Sequence, residues 1–354
     1  MARTPLATFL CLAALTLPWC AAVAPAHAGP TADAAALKVT PPPPAMNLPD
    51  FYKKYVSAGG YPVVGSEKVS DYALKEAAYL INMMLAKRPD IRKAMVASGS
   101  RVVVMAYNEF TTDVPEHSHL TPKAWWAVRA RGLGGSETDP VCSCGEENLL
   151  AYPEDPYSTE CILIHEFAHN IHLRGLMKVD PTFDKRLKAA YDRALAKGLW
   201  AGKYASTNHR EYWAEAVQSY FNNNREPDHD HNHVNTRKEL REYDPALAAL
   251  CKEIFGDTEL VYTKPTTRLT GHLAGYDPSK APTFKFPKGG KKIQAEIRQK
   301  ARNRLQGKEN RPPGIEHETR QIEGWTVHVD TQLLDADHEA VGKKALRVLA
   351  NKLY

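Results

Sequence analysis

After its first 28 residues the chain contains no run approaching the roughly 18 apolar residues that a membrane-spanning helix requires, so no transmembrane segment is expected there. It also lacks a strong charge of either sign. Against 41 Asp and Glu stand 46 Lys and Arg, and residues 1–28 hold one basic residue, Arg3, and no acidic one. Without them the balance is 45 against 41, or +4, too small an excess to argue for a nucleic-acid partner. Cysteine is scarce: there are six, and Cys11 and Cys20 lie in the first 28 residues. The other four, Cys142, Cys144, Cys161 and Cys251, are an even number in a chain read as exported, which predicts two disulfides. Of the three pairings, those separating Cys142 from Cys144 are expected, because a ring closed across one intervening residue is strained. A thiolate metal site on Cys142 and Cys144 is the rival reading.

Export rests on the N-terminus. Arg3 supplies a positive start, residues 9–17 an apolar stretch and Ala26-His27-Ala28 a small-residue cleavage site, the pattern of a signal peptide over 1–28. A retained anchor is the other reading; Pro18-Trp19 before Cys20 speaks against a lipoprotein. The expected location is secreted or periplasmic.

Residues 29–48 are rich in Ala and Pro, with Pro41 to Pro44 in a row, and read as a tether. A globular domain is expected over 49–261. Its early part offers an amphipathic helix capped by Ser70 and a buried strand over 102–106. A loop region over 111–146, with Asp113, Glu116, His117 and His119, then Gly132, Gly134 and Gly135, reads as a cleft rim or as ordinary surface. A strand is expected over 148–152, placed to bind an extended peptide by strand addition. Asp180-Pro181 and Asp244-Pro245 mark helix starts, so the later part is expected to be mainly helical. His229, His231 and His233, interleaved with Asp228 and Asp230, read as an exposed polar loop, with metal binding as the alternative.

Past Asp257 the composition changes. Between Ser279 and Pro313 there are eleven Lys and Arg against Glu296 and Glu309. Residues 262–313 read as a basic, solvated linker carrying a charged helix; the alternative is weak association with an anionic cell envelope or polysaccharide. Residues 314–354 offer a strand over 325–329 and a helix from about His338, too little to bury a core alone. That helical pattern is still running at Tyr354, so this small unit either packs on the domain or belongs to a longer natural chain.

The chemistry centres on His165-Glu166-Phe167-Ala168-His169. On a helix, residues four apart share a face, so His165 and His169 can hold one metal ion. Zn2+ accepts imidazole ligands and at a catalytic site keeps a position open for water, with Glu166 placed as general base. Asp155 and Pro156 read as the N-cap and first residue of this helix, whose apolar neighbours Ile162, Leu163, Ile164, Phe167 and Ile171 predict burial. A metzincin site would need Gly and His where His172 and Gly175 stand, so that class is excluded. Three ligands from one straight helix would fan along its axis, so His172 is read as supporting the ligands from behind or as structural. The third ligand is sought in Glu211, with Glu215 one turn on as fallback. Glu211 has a competing role: Asn208 looks like an N-cap, which would put Glu211 at the capping-box position.

The pair His165-Glu166-Phe167-Ala168-His169 and Tyr204-x-x-Thr207-Asn208-x-x-Glu211-Tyr212-Trp213-Ala214-Glu215 resembles the catalytic domain of anthrax lethal factor and related zincin peptidases of the gluzincin type. Ala168 and Ala205 stand where that family has Gly, and Tyr212 and Trp213 where it has Phe. The likeness spans about residues 160–221. It implies an α+β zincin-like fold with a small mixed sheet and a mainly helical second lobe. It further implies zinc held by His165, His169 and Glu211, Glu166 as base and Tyr204 as a catalytic hydroxyl. Glu215 is expected to orient a histidine ligand or the Tyr204 region. The resulting expectation is an exported zinc metalloendopeptidase acting on a peptide or protein substrate. The alternative is a non-catalytic cell-surface binding protein that retains a structural zinc site, for which a fourth ligand such as His172 or His209 would be the mark.

Overall fold

The computed structural model describes residues 37–258, 260–305, 317–322, 325–330, 333–334, 342–346 and 349. The expected signal peptide, the first part of the tether and most of the helix expected from His338 lie outside the described residues. Strands β1 (Lys54–Ala58) and β2 (Tyr61–Gly65) form an antiparallel pair. Helices α1 (Asp71–Met84) and α2 (Pro89–Ala97) then carry the chain across to β3 (Arg101–Met105), which lies parallel to β2, the crossover that parallel pairing demands. Helix α3 (Lys123–Arg129) leads to β4 (Gly132–Leu133) and β5 (Val141–Gly145). Strand β5 is parallel to β3 and β4 antiparallel to β5, giving the order β1-β2-β3-β5-β4 with β4 at the edge.

The apolar strands are buried on both faces. Successive strand residues point to opposite sides, so Val63, Val102 and Val104 join the main core while Val64, Val103 and Met105 join a smaller cluster behind the sheet with Tyr52, Val114 and Val141. After β5 the domain is helical: α4 (Glu146–Leu149), α5 (Ile162–Asn170), a π-helical turn over Ile171–Leu176, α6 (Met177–Val179), α7 (Phe183–Ala196), α8 (His209–Tyr220), α9 (Arg237–Tyr243) and α10 (Pro245–Phe255). Helix α11 (Gly290–Leu305) and the hairpin of β6 (His317–Ile322) and β7 (Trp325–Asp330) follow. The protein is thus α+β, with a small mixed sheet and a mainly helical second lobe. Among the described residues no helix is long and apolar enough to cross a membrane.

Several local expectations are corrected. Residues 148–152 are not a strand: α4 covers Glu146–Leu149, and Ala151 has φ 54°. The buried Asn148 amide donates to Asp155 Oδ2 and to the carbonyls of Tyr157 and Glu160, which requires a compact turn there. Helix α5 begins at Ile162, not Pro156. Asp155 instead closes a local turn onto the Tyr157 N–H, and the first helical N–H groups of Cys161 and Ile162 donate to the remote side chains of Asn223 (3.0 Å) and Asn148 (2.8 Å). Capping from elsewhere in the chain satisfies the same exposed donors as a local cap.

The expected disulfides are absent: Cys142, Cys144, Cys161 and Cys251 are free and buried. Cys142 and Cys144 project from the same face of β5 into the core, whereas Cys251 on α10 has Asp244 and Arg237, and no thiol, as its charged surroundings. Burial pushes all four thiols well above their ordinary range, which disfavours thiolate chemistry.

The first part of the basic 262–313 stretch lies on the domain. Arg268 and His272 both reach the wholly buried Glu76 of α1, His272 stacks on Tyr79, and the Tyr276 hydroxyl donates to the Leu150 carbonyl. Helix α11 rests on α3, where a side-chain carbon at Gly290 would sit 2.8 Å from Val128.

Candidate metal centre and active site

Helices α5 and α8 pack against each other and supply the site. Every residue of α5 is buried, so its polar side chains must find partners inside the protein. His165 and His169 emerge on one face, with ring centroids 5.1 Å apart. Helix α8 is started by Asn208, whose side-chain oxygen accepts from the N–H groups of Arg210 (2.9 Å) and Glu211 (3.0 Å). This settles which side chain does the capping. The Glu211 carboxylate faces α5 instead, with Oε2 3.0 Å from His165 Nε2 and 3.4 Å from His169 Nε2.

Glu166 completes the group: ligand atoms of His165, Glu166 and His169 lie within 4.8 Å of one another. The chain before β5 runs directly over them. A side-chain carbon at Gly132 would lie 2.9 Å from Glu166 Cγ, and one at Gly134 2.7 Å from the His169 ring. Glycine at these two positions therefore lets the edge strand β4 and the residues after it touch the site. Arg131, buried against Glu147 (2.5 Å), anchors this wall and also donates to the carbonyls of Ala106 and Glu109.

The surroundings fix the protonation of the site. Gln218 donates its amide N–H to Glu160 (2.7 Å), so its oxygen accepts from His165 Nδ1–H at 2.8 Å. With Nδ1–H committed to Gln218, Nε2 is the nitrogen left for the Glu211 side: in the metal-free protein it donates to Glu211, and on losing that proton it is the atom free to ligate a metal. Burial opposes charge on His165, but the Glu211 hydrogen bond and the carboxylates of Glu166, Glu211 and Glu215 outweigh it and hold the imidazole up at about 10. Burial raises Glu166 above the ordinary carboxylate range, against the lowering pull of His165 and His169. Glu211 is held well below that range: its burial is overcome by His169 and by hydrogen bonds to both histidines. Two imidazoles among three carboxylates make a buried, cation-seeking group, and the donor set His165 Nε2, His169 Nε2 and Glu211 Oε2 fits zinc.

Tyr204 lies in a short 3₁₀ turn ahead of α8, its ring centroid 6.1 Å from that of His165. Burial first, then the Glu211 and Glu166 carboxylates, push the phenol up, while Arg129 pulls it down. It therefore stays a protonated donor. Arg129, exposed at the end of α3, shares the charged neighbourhood of Tyr204, Tyr157 and Glu166.

Glu215 lies behind the site, with Oε1 3.6 Å from His165 Nδ1 and Oε2 3.0 Å from Asn224 Nδ2. The closer partner of His165 is Gln218, which sequence reasoning missed. Its signal was spacing: Glu211, Glu215 and Gln218 recur at i, i+4 and i+7 on one face of α8. The loop read as exposed over 228–233 is corrected in part. His231 is buried, with Nδ1 2.9 Å from Asp228 and Nε2 3.6 Å from Glu215. His172 stands apart from His165 and His169. It lies in the π-helical turn, where the widened helix changes the angular spacing of side chains, and its Nε2 is 3.0 Å from Asp184 Oδ1.

No protein-family model matches the chain. No curated protein matches it either. Among solved structures it is similar to the PRO-PRO endopeptidase PPEP-2 from Paenibacillus alvei, at 19% identity and a TM-score of 0.37, over 55% of this chain and 97% of that one. A likeness this loose assigns neither family nor activity.

Proposed function

We propose that the protein is an exported zinc metallopeptidase of the gluzincin type that hydrolyses peptide bonds in a peptide or protein substrate. The observation that carries this reading is the convergence of His165 Nε2, His169 Nε2 and Glu211 Oε2 beside Glu166 and Tyr204. His165, His169 and Glu211 would hold the ion, which when bound supplies Lewis-acid polarisation of the carbonyl and a water of pKa near 7. The histidine tautomer is set by Gln218 and, more distantly, by Glu215. Glu166, its proton affinity raised by burial, accepts the proton of the attacking water and passes it to the leaving amine. Tyr204, held protonated, donates to the oxyanion that develops on the former carbonyl oxygen. The edge strand β4 beside Glu166 offers unpaired backbone groups to an extended substrate.

Geometry favours this over the reading as a binding protein with a structural zinc site. A closed structural site needs a fourth protein ligand, and the side chains that would supply it, His172 and His209, both turn to Asp184. Export rests on residues 1–28 alone.

The test is cleavage-site profiling of a peptide library with purified protein, with and without chelator, beside Glu166→Gln. The expected result is chelator-sensitive cleavage by wild type and none by a Glu166→Gln protein that still binds zinc. Full cleavage by that variant would refute the assignment.

A further inference from the structure

One turn past His169, a second cluster repeats the donor types of the first, with its two imidazole centroids 6.3 Å apart against 5.1 Å. Asp184 Oδ1, in the first turn of α7, lies 3.0 Å from His172 Nε2 and 2.9 Å from His209 Nε2. At the first cluster, too, two imidazole Nε2 atoms face a single carboxylate oxygen. His172 is wholly buried, and among the described residues neither of its ring nitrogens makes an aligned hydrogen bond. An imidazole left so is unfavourable, because it has lost its water without gaining a partner. The bond from His209 to Asp184 satisfies His209 and leaves His172 unmet.

We propose that His172, His209 and Asp184 form a second divalent-cation site, a two-imidazole, one-carboxylate set of the kind zinc takes, distinct from the His165 and His169 cluster. Zinc and its first-row neighbours are the ions that accept imidazole readily. The three ligands come from three elements: the π-helical turn, α7 and the first residue of α8. Bound metal would therefore cross-link α7 to the helix pair that builds the first site. The Asp184 side chain is 33% exposed, so the cluster is open to solvent on that side. The nearby Arg210 would repel a cation, but its guanidinium is turned to Glu137 at 2.9 Å. Glu166 and Tyr204 belong to the first cluster, so the second site is read as binding and bracing, not as reactive.

The proposal goes beyond the peptidase reading and is tested apart from it. Purified, chelator-stripped protein is dialysed against zinc and its metal content measured. Wild type should bind two ions per chain, Asp184→Asn and His209→Gln one each, Glu211→Gln one, and Asp184→Asn combined with Glu211→Gln none. Circular dichroism checks that each variant is folded. Cadmium-113 NMR of the wild type needs no variant and should show two resonances. A single resonance, one zinc in wild type at every concentration, or a second zinc that survives both Asp184→Asn and His209→Gln would overturn the site. Loss of peptidase activity with the second ion retained would bear on the first site only.

Discussion

At one end of the α5–α8 contact, the Nε2 atoms of His165 and His169 face Glu211 Oε2; a turn further on, those of His172 and His209 face Asp184 Oδ1. The two groups use the same donor types at nearly the same distances. They differ in what surrounds them. Around the first, Glu166 flanks the ligands, Tyr204 stands over His165, Gln218 orients the His165 ring, and two glycines bring the edge strand alongside. Around the second are the Phe183 ring, 5.5 Å from that of His172, and an Arg210–Glu137 ion pair. Two imidazoles thus face one carboxylate oxygen twice, once between α5 and α8 and once where α7 meets them, while a second carboxylate and a tyrosine stand beside the first group only. On the proposed function, reactivity would come from those extra groups and not from the ligand set alone.

Removing the acceptor should have the largest effect. Glu166→Gln is expected to lower kcat by about 10²–10⁴, the usual contribution of a positioned general base, with metal content unchanged by dialysis. Activity near wild type would erase the distinction between the clusters. Tyr204→Phe keeps the ring and deletes the hydroxyl. Loss of one oxyanion donor typically lowers turnover by roughly 10²–10³, and KM should move little because the bond forms only in the transition state. An unchanged kcat on a verified substrate would reduce Tyr204 to a packing residue.

Gln218→Met preserves bulk and deletes the acceptor for His165 Nδ1–H. Lost orienting partners lower metal affinity by about 10–100-fold. That loss should fall on the first cluster only, read as weakened competition with a chelator for one ion of two. Equal weakening at both would show that the clusters are coupled through α5.

The smallest effect is one of pH on metal-free protein. His165 and His231 are both held at about 10, well above their ordinary value; burial opposes this in each, and the Glu211 hydrogen bond and the Glu215 carboxylate respectively lead the groups that outweigh it. A raised folded-state pKa gives stability that is fully present below about 6.5 and lost as pH rises toward 10. The melting temperature of chelated protein should therefore fall across that window. Zinc should flatten the His165 part, since a ligating imidazole is already deprotonated, and His231→Gln should remove the other part. A profile identical with and without zinc would separate His165 from the metal.

Much of the first cluster could be read without coordinates, because its information is local. His165 and His169 are four apart on a stretch too apolar to be anything but buried, and Glu211 follows Asn208 at a spacing that starts a helix. Turn chemistry was legible where it closed within a few residues, as at Asn208 and at Asp244, whose side chain caps α10. It failed where partners are far away. The start of α5 is capped by Asn148 and Asn223, residues 14 and 62 positions away from the N–H groups they receive. Exposure was misjudged for the same reason: His231 is polar and sits among Asp and Asn, yet Glu215 and Asp228 hold it inside.

The amino-acid order alone determined the helix that carries the two histidines, the glutamate between them, the carboxylate expected from a second helix and the alternation of helix and strand around them. Those follow from periods of 3.6 and 2 and from side chains that act within one turn. The tertiary structure alone decided that the cysteines stay buried and unbonded, that Gln218 sets the His165 tautomer, that glycines lay an edge strand on the site and that a π-helical turn carries His172 to Asp184 and His209. Each of these depends on which distant residues packing brings within a few ångströms, a distance that spacing along the chain does not encode.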